Sequence, residues 1–168
     1  MSSEIMSLEM DVFCLLLLIR ILYQMYINRV QNDHWNYFYY TIAWACVYLF
    51  MDAIWIMNVK HLLTFSKIQS GIFNSFYFCS LAMLVCSWYV YVQKTLHSAV
   101  LKHKKILVLT FIPLIFFIGS SLLSYWTHGL FVIDQAGNYH RGKLLPFYFL
   151  ILFAYIPVSY THLTLPTK

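Results

Sequence analysis

The sequence predicts an all-α membrane protein: a bundle of five transmembrane helices, the fifth truncated, with a short extracellular β-hairpin between helices four and five. Two observations carry this expectation. Of 168 residues, 61% are hydrophobic and only 10% are charged, with mean hydropathy +0.68, whereas a soluble domain is about a quarter charged. The charges are also gathered into short stretches between five long apolar runs, as a lipid solvent requires. Lipid offers no partner to a free backbone amide, and no even strand alternation suggests a barrel, so the spans are read as helices.

Run one covers about 11–28 (DVFCLLLLIRILYQMYIN), run two about 36–57, run three about 71–93 and run four about 106–126. Each has the ~20 residues that cross a hydrocarbon core at about 1.5 Å per residue. Run five starts near 144 as LLPFYFLILFAYI and breaks off after those residues. The opening MSSEIMSLEMD carries acids and no base, unlike a signal peptide, so run one is expected to remain as an anchor. Trp35 and Trp55 bracket run two and Trp126 closes run four, at the headgroup level that suits indole. Trp44 and Trp88 fall inside spans and are read as packing residues. Pro113 should kink helix four. Cys14, Cys46, Cys79 and Cys86 lie in apolar runs without a CxxC pair and are read as small hydrophobes at helix interfaces, with no disulfide framework or metal site expected.

Lysine and arginine set the expected orientation. The loop KTLHSAVLKHKK after run three holds Lys94, Lys102, Lys104 and Lys105, the densest basic cluster in the chain, which places it in the cytoplasm. Arg29 joins them there, while Lys60, Lys67, Arg141 and Lys143 fall outside. The protein is then a multi-pass cell-membrane protein with its N-terminus outside. The basic loop could also meet anionic lipid, although orientation alone explains it.

Two ionisable residues lie well inside the runs, Arg20 and Asp52. Each costs a few kcal/mol near the bilayer centre if unpaired. Their expected depths differ by roughly 6 Å, four residues of helix rise, so an Arg20–Asp52 contact or a shared polar site in the outer leaflet is expected. The alternative is that each side chain snorkels separately. A structural pair is favoured over a ligand site.

Between runs four and five lies THGLFVIDQAGNYHRGKLLPF. LFVID is β-prone, QAG supplies turn chemistry and NYHRG can return as a second strand. Gly137 would take a positive-φ position, and Gly142 would free the chain to enter helix five. Asp134, Tyr139, His140, Arg141 and Gly142 form a possible signal site. Arg141 could meet an anion bidentately and His140 could respond to pH. The favoured reading is plainer: these side chains pin the hairpin to the helix ends by hydrogen bonds.

On LFMDAIWIM (49–57), CSWYVYVQ (86–93), IPLIFFI (112–118) and, most specifically, GLFVIDQAGNYHRG (129–142), the chain resembles the N-terminal multi-helix membrane region of diguanylate cyclases from Gram-positive bacteria. The resemblance covers most of residues 10–156. It implies an extracellular hairpin, a sensory input role, a homodimeric parent protein and a C-terminal GGDEF domain that makes cyclic di-GMP. No GGDEF or GGEEF occurs in this sequence, so no catalytic residue is assigned and no cofactor is expected within it. The expected partners are the lipid bilayer and an unknown extracellular signal, with no nucleic acid.

The tail VSYTHLTLPT is also the translation of GTC TCT TAT ACA CAT CTG ACG CTG CCG ACG, a transposase end followed by a sequencing adapter. Residues 158–168 are therefore expected to be adapter-encoded, with Pro157 ambiguous. The expected division is a membrane input domain over 1–156 and a non-native tail over 157–168. Three functions remain open: the input module of a diguanylate cyclase, the membrane input domain of a quorum-sensing type histidine kinase, or a transporter or membrane-enzyme fragment. Transport is disfavoured by the scarcity of intramembrane charge and the lack of a visible inverted repeat. A metalloenzyme is disfavoured because His34, His61, His97, His103, His128 and His140 lie in loops or at run ends, without an HExxH.

Overall fold

The computed structural model describes residues 3–28, 33–60, 62–96, 104–134 and 139–161. Its elements follow in the order α1 (Ser3–Asn28), α2 (Asp33–Val59), α3 (Lys67–Thr95), α4 (Lys104–Thr127), β1 (Phe131–Ile133), β2 (Tyr139–Arg141) and α5 (Leu145–Thr161). Among the described residues, three stretches are long and apolar enough to cross a membrane: Met6–Asn28, Asn36–Asn58 and Lys67–Thr95. Phe111–Thr127 and Leu145–Tyr155 are shorter apolar helices. The protein is thus mostly helical, with one two-stranded antiparallel sheet between α4 and α5. Of the expected adapter-encoded tail, α5 continues to Thr161, and residues 162–168 lie outside the described residues.

α1 to α4 all begin ahead of their apolar runs, α1 and α3 by the most. The chain from Ser3 is rich in Glu, Met and Leu, good helix formers, so α1 already includes Asp11 in its interior. At α3, Ser66 is the N-cap: its hydroxyl accepts from the Gln69 amide at 3.3 Å, while the Gln69 side chain accepts from the Ser66 amide at 2.9 Å. This reciprocal capping box satisfies two amides that the first turn leaves free. Pro113 lies inside α4 as the sequence implies.

α3 is the central helix, packed against α2, α4, α5 and β1, while α1 packs on α2. Phe78 and Tyr89 of α3 meet Leu114 and Phe117 of α4, Leu130, Phe131 and Ile133 of the hairpin region, and Tyr148 of α5 in one buried cluster. The α3–α4 seam is built from small and polar side chains. The Ser75 hydroxyl donates to the Ser121 carbonyl at 2.9 Å, Cys79 Sγ lies 2.9 Å from the Ser121 hydroxyl, and Gly71 leaves room for the Tyr125 ring. Close backbone approach and interhelical hydrogen bonds of this kind hold helices together where lipid removes the hydrophobic driving force. Phe13, Leu16, Leu17 and Ile19 of α1 are exposed, which suits a lipid-facing helix.

Candidate functional site

The hairpin is seated by α4. That helix ends at Thr127, and the φ of 55° at the next residue, His128, turns the chain in the left-handed region, an arrangement common just past a helix end. Ser124, fully buried one turn earlier, accepts from the Leu130 amide at 2.9 Å and the Phe131 amide at 3.0 Å. Phe131 pairs with Arg141, Val132 with His140 and Ile133 with Tyr139. The Gly142 amide donates to the Leu130 carbonyl at 2.9 Å, which makes Phe131 a position whose own amide points away from the partner strand. Ser124 meets that outward amide.

Gly142 does more than free the chain, the role expected from the sequence. A Cβ there would overlap the backbone of Gly129 and Leu130. The close approach of the two strands' ends requires glycine. The Leu144 amide then donates to the Gly129 carbonyl at 2.9 Å, and α5 starts at Leu145.

Beneath the hairpin lies a cleft of about 660 Å³ between α2, α3, β2 and α5. Its walls carry the rings of Trp55, Tyr77, Phe78, Tyr139 and Phe149. Trp55 stacks on Tyr77 with centroids 6.4 Å apart and meets Tyr139 edge-on at 5.8 Å. Asn74 lines the cleft at 3% exposure: its Nδ2 donates to the Ser70 carbonyl at 2.8 Å, and its Oδ1 has no partner. An unpartnered buried acceptor costs about 1–3 kcal/mol. Arg141 and His140, both exposed, border the same cleft.

A polar chain leads from the cleft wall into the helices. The Tyr77 and Tyr48 hydroxyls are 3.2 Å apart, and the Asp52 carboxyl lies near enough to interact electrostatically with both. Asp52 lies close enough to Asp11 of α1 for the two carboxyl groups to interact electrostatically, and Asp11 Oδ2 is buried without a hydrogen-bond partner. This polar group brings side chains of α1, α2 and α3 into mutual reach.

Asp52 is one end of the expected intramembrane pair, and the structure gives it Asp11 rather than Arg20. Arg20 is exposed, and no ion pair joins it to Asp52 among the described residues. The reason is register. α1 starts eight residues before run one, and Asp11 lies level with Asp52, so Arg20 falls about 13 Å farther along the helix at ~1.5 Å per residue. An acid at the very edge of run one was the available signal for Asp11.

In the hairpin, His140 Nε2 lies 3.3 Å from Asp134 Oδ2 across exposed surface, a contact of small energetic weight. Burial pushes the Tyr139 phenol up from its ordinary pKa, and neighbouring Arg141 offsets part of that, so the hydroxyl remains a neutral donor at physiological pH. Gly137 lies outside the described residues. At the opposite end of α3, the Lys94 ammonium sits 5.2 Å over the Tyr37 ring, within cation–π range. Lys104 and Lys105 open α4, and Lys102 lies outside the described residues.

Asp11→Leu is expected to loosen α1 by about 1 kcal/mol, the scale of hydrogen bonds between membrane helices. Asp11→Asn should largely retain the tie, because its amide can donate to Asp52, and Arg20→Leu should change little. Thermal melts in detergent would read the series; an Arg20→Leu loss matching Asp11→Leu would show that α1 is held otherwise.

No family model matches the chain, and neither the curated proteins nor the solved structures contain a significant match to it.

Proposed function

We propose that this chain is the membrane-embedded sensory input module of a signalling protein, with a diguanylate cyclase as the output of the longer parent. The observation that supports it best is the coupling of the cleft to the helix ties. Tyr77 lines the cleft and also bonds the Tyr48 hydroxyl of α2, with Asp52 and, beyond it, Asp11 of α1 in electrostatic reach. An occupant that moves Tyr77 therefore changes the contacts among three helices. A signal acts by binding one packing arrangement better than another. The hairpin end faces the outside in this reading, and the Lys94, Lys104 and Lys105 end faces the cytoplasm and the output domain. A homodimer would bring two GGDEF domains face to face.

Sequencing the parent gene past residue 156 tests the reading. A GGDEF or GGEEF motif is the expected result. A histidine-kinase H-box with an ATP-binding lid would keep the sensor role and change the output. Further apolar runs with no soluble domain would overturn the proposal. Orientation is checked separately, in a background lacking the four native cysteines. A cysteine at His140 should react with a membrane-impermeant maleimide on whole cells, and one at Lys102 should not.

A further inference from the structure

The cleft combines a buried acceptor, aromatic walls and an exposed cation. Asn74 Oδ1 is an acceptor with nothing to accept from, on a side chain whose other polar atom is already engaged by Ser70. The walls are aromatic, with Trp55, Tyr77 and Phe149 among them. At the mouth stands Arg141, exposed and without an ion-pair partner among the described residues. A guanidinium offers a planar fork of donors that fits a carboxylate. Such a site complements a molecule with the matching groups: a donor for Asn74, a flat apolar body, and an anion for Arg141. Its volume of about 660 Å³ suits a ligand of more than one ring and falls within the roughly 300–1,000 Å³ of small-molecule sites.

We propose that the cleft binds a small aromatic acid bearing an O–H or N–H donor opposite its carboxylate. The donor meets Asn74 Oδ1, the rings lie among Trp55, Tyr77 and Phe149, and the carboxylate meets Arg141. This rests on the sensor reading only in naming the class of signal; binding itself is a property of this chain.

The probe is 4′-hydroxybiphenyl-4-carboxylate, rigid and two rings long, with donor and carboxylate at opposite ends. It is titrated against the full chain in phosphatidylcholine nanodiscs, with empty discs correcting for partition into lipid. One saturable site per chain is expected. On the wild-type protein, the 4′-methoxy analogue lacks the donor and the methyl ester lacks the anion. Each should bind at least about tenfold more weakly. Asn74→Leu should weaken the parent probe by a similar factor and cost the methoxy analogue nothing further, since both changes remove one hydrogen bond. Arg141→Gln should stand in the same relation to the ester.

If the methoxy analogue or the ester binds wild type as tightly as the probe, the cleft takes any apolar guest, a lipid chain included, and the proposal is overturned. Absence of saturable binding by folded protein also overturns it. The analogue comparisons use wild-type protein, so a poorly folding variant does not blunt them. Failure of binding leaves the sensor reading standing, whereas a parent gene without an output domain overturns that reading whatever the cleft binds.

Discussion

Gly142→Ala is expected to unseat the hairpin from the helices. The added methyl would fall on the backbone of Gly129 and the Leu130 carbonyl carbon, and backbone atoms cannot swing aside as a side chain can. The strands would have to separate at the end where the Gly142 amide meets the Leu130 carbonyl and the Leu144 amide meets the Gly129 carbonyl. Leu130, Phe131 and Ile133 belong to the buried cluster, so the disturbance reaches the core. Ordinary overpacking costs about 1–3 kcal/mol, and a clash between backbones should reach or exceed the upper end. Gly119→Ala is the matched control. It lies inside α4 with nothing within 4 Å of the new methyl, and alanine there should stabilise by roughly 0.5–1 kcal/mol. Thermal melts of the two variants in the same detergent should move in opposite directions; equal shifts would mean that the close approach at Gly142 does not govern stability.

Ser124→Ala should be the next most damaging change. One hydroxyl serves two amides, those of Leu130 and Phe131, on residues with no exposed surface. The strand pairing cannot take over, because the Phe131 amide faces away from β2. Two buried donors left without partners cost about 2–6 kcal/mol together. Hydrogen exchange locates the effect: the Leu130 and Phe131 amides should lose protection by a hundredfold or more, while those near the middle of α2 keep theirs. Unchanged exchange at these two amides would show that another acceptor, such as water, replaces the hydroxyl. Since the hairpin forms one wall of the cleft, Ser124→Ala should also weaken any occupant without touching it.

Much of the hairpin was legible in the sequence. LFVID and NYHRG supply both strands, and β1 and β2 fall within those segments. Its attachment was not. Ser124 sits among apolar residues of run four and reads there as a small packing residue, because nothing local indicates that the chain folds back to offer it two amides. Asn74 is similar: within run three it is one polar side chain on a spanning helix, and only the packing of α2, α3 and α5 turns its acceptor into a cleft. The Ser66–Gln69 capping box, by contrast, has a visible signature that begins five residues ahead of run three. It falls outside the apolar run because those turns are polar.

Arg20 and Asp52 mark the boundary most clearly. Composition required that intramembrane charge be rare and partnered, and the carboxyl of Asp52 does have partners. Choosing Asp11 over Arg20 depends on how far α1 slides along α2, and hydropathy is nearly blind to that. A spanning helix is apolar on every side, so no stripe of side chains marks which face and which depth meet a neighbour. The sequence by itself determined five apolar runs and the hairpin segment between the last two, and the runs are helices because lipid leaves the backbone no other way to satisfy its hydrogen bonds. Among the described residues the structure gives three of them membrane-crossing length and leaves two shorter apolar helices. Tertiary structure alone decided the Asp11–Asp52–Tyr77 chain, the Ser124 attachment and the cleft at Asn74. Each depends on close approach between residues distant in the chain, and that approach follows from the shapes of the packed side chains.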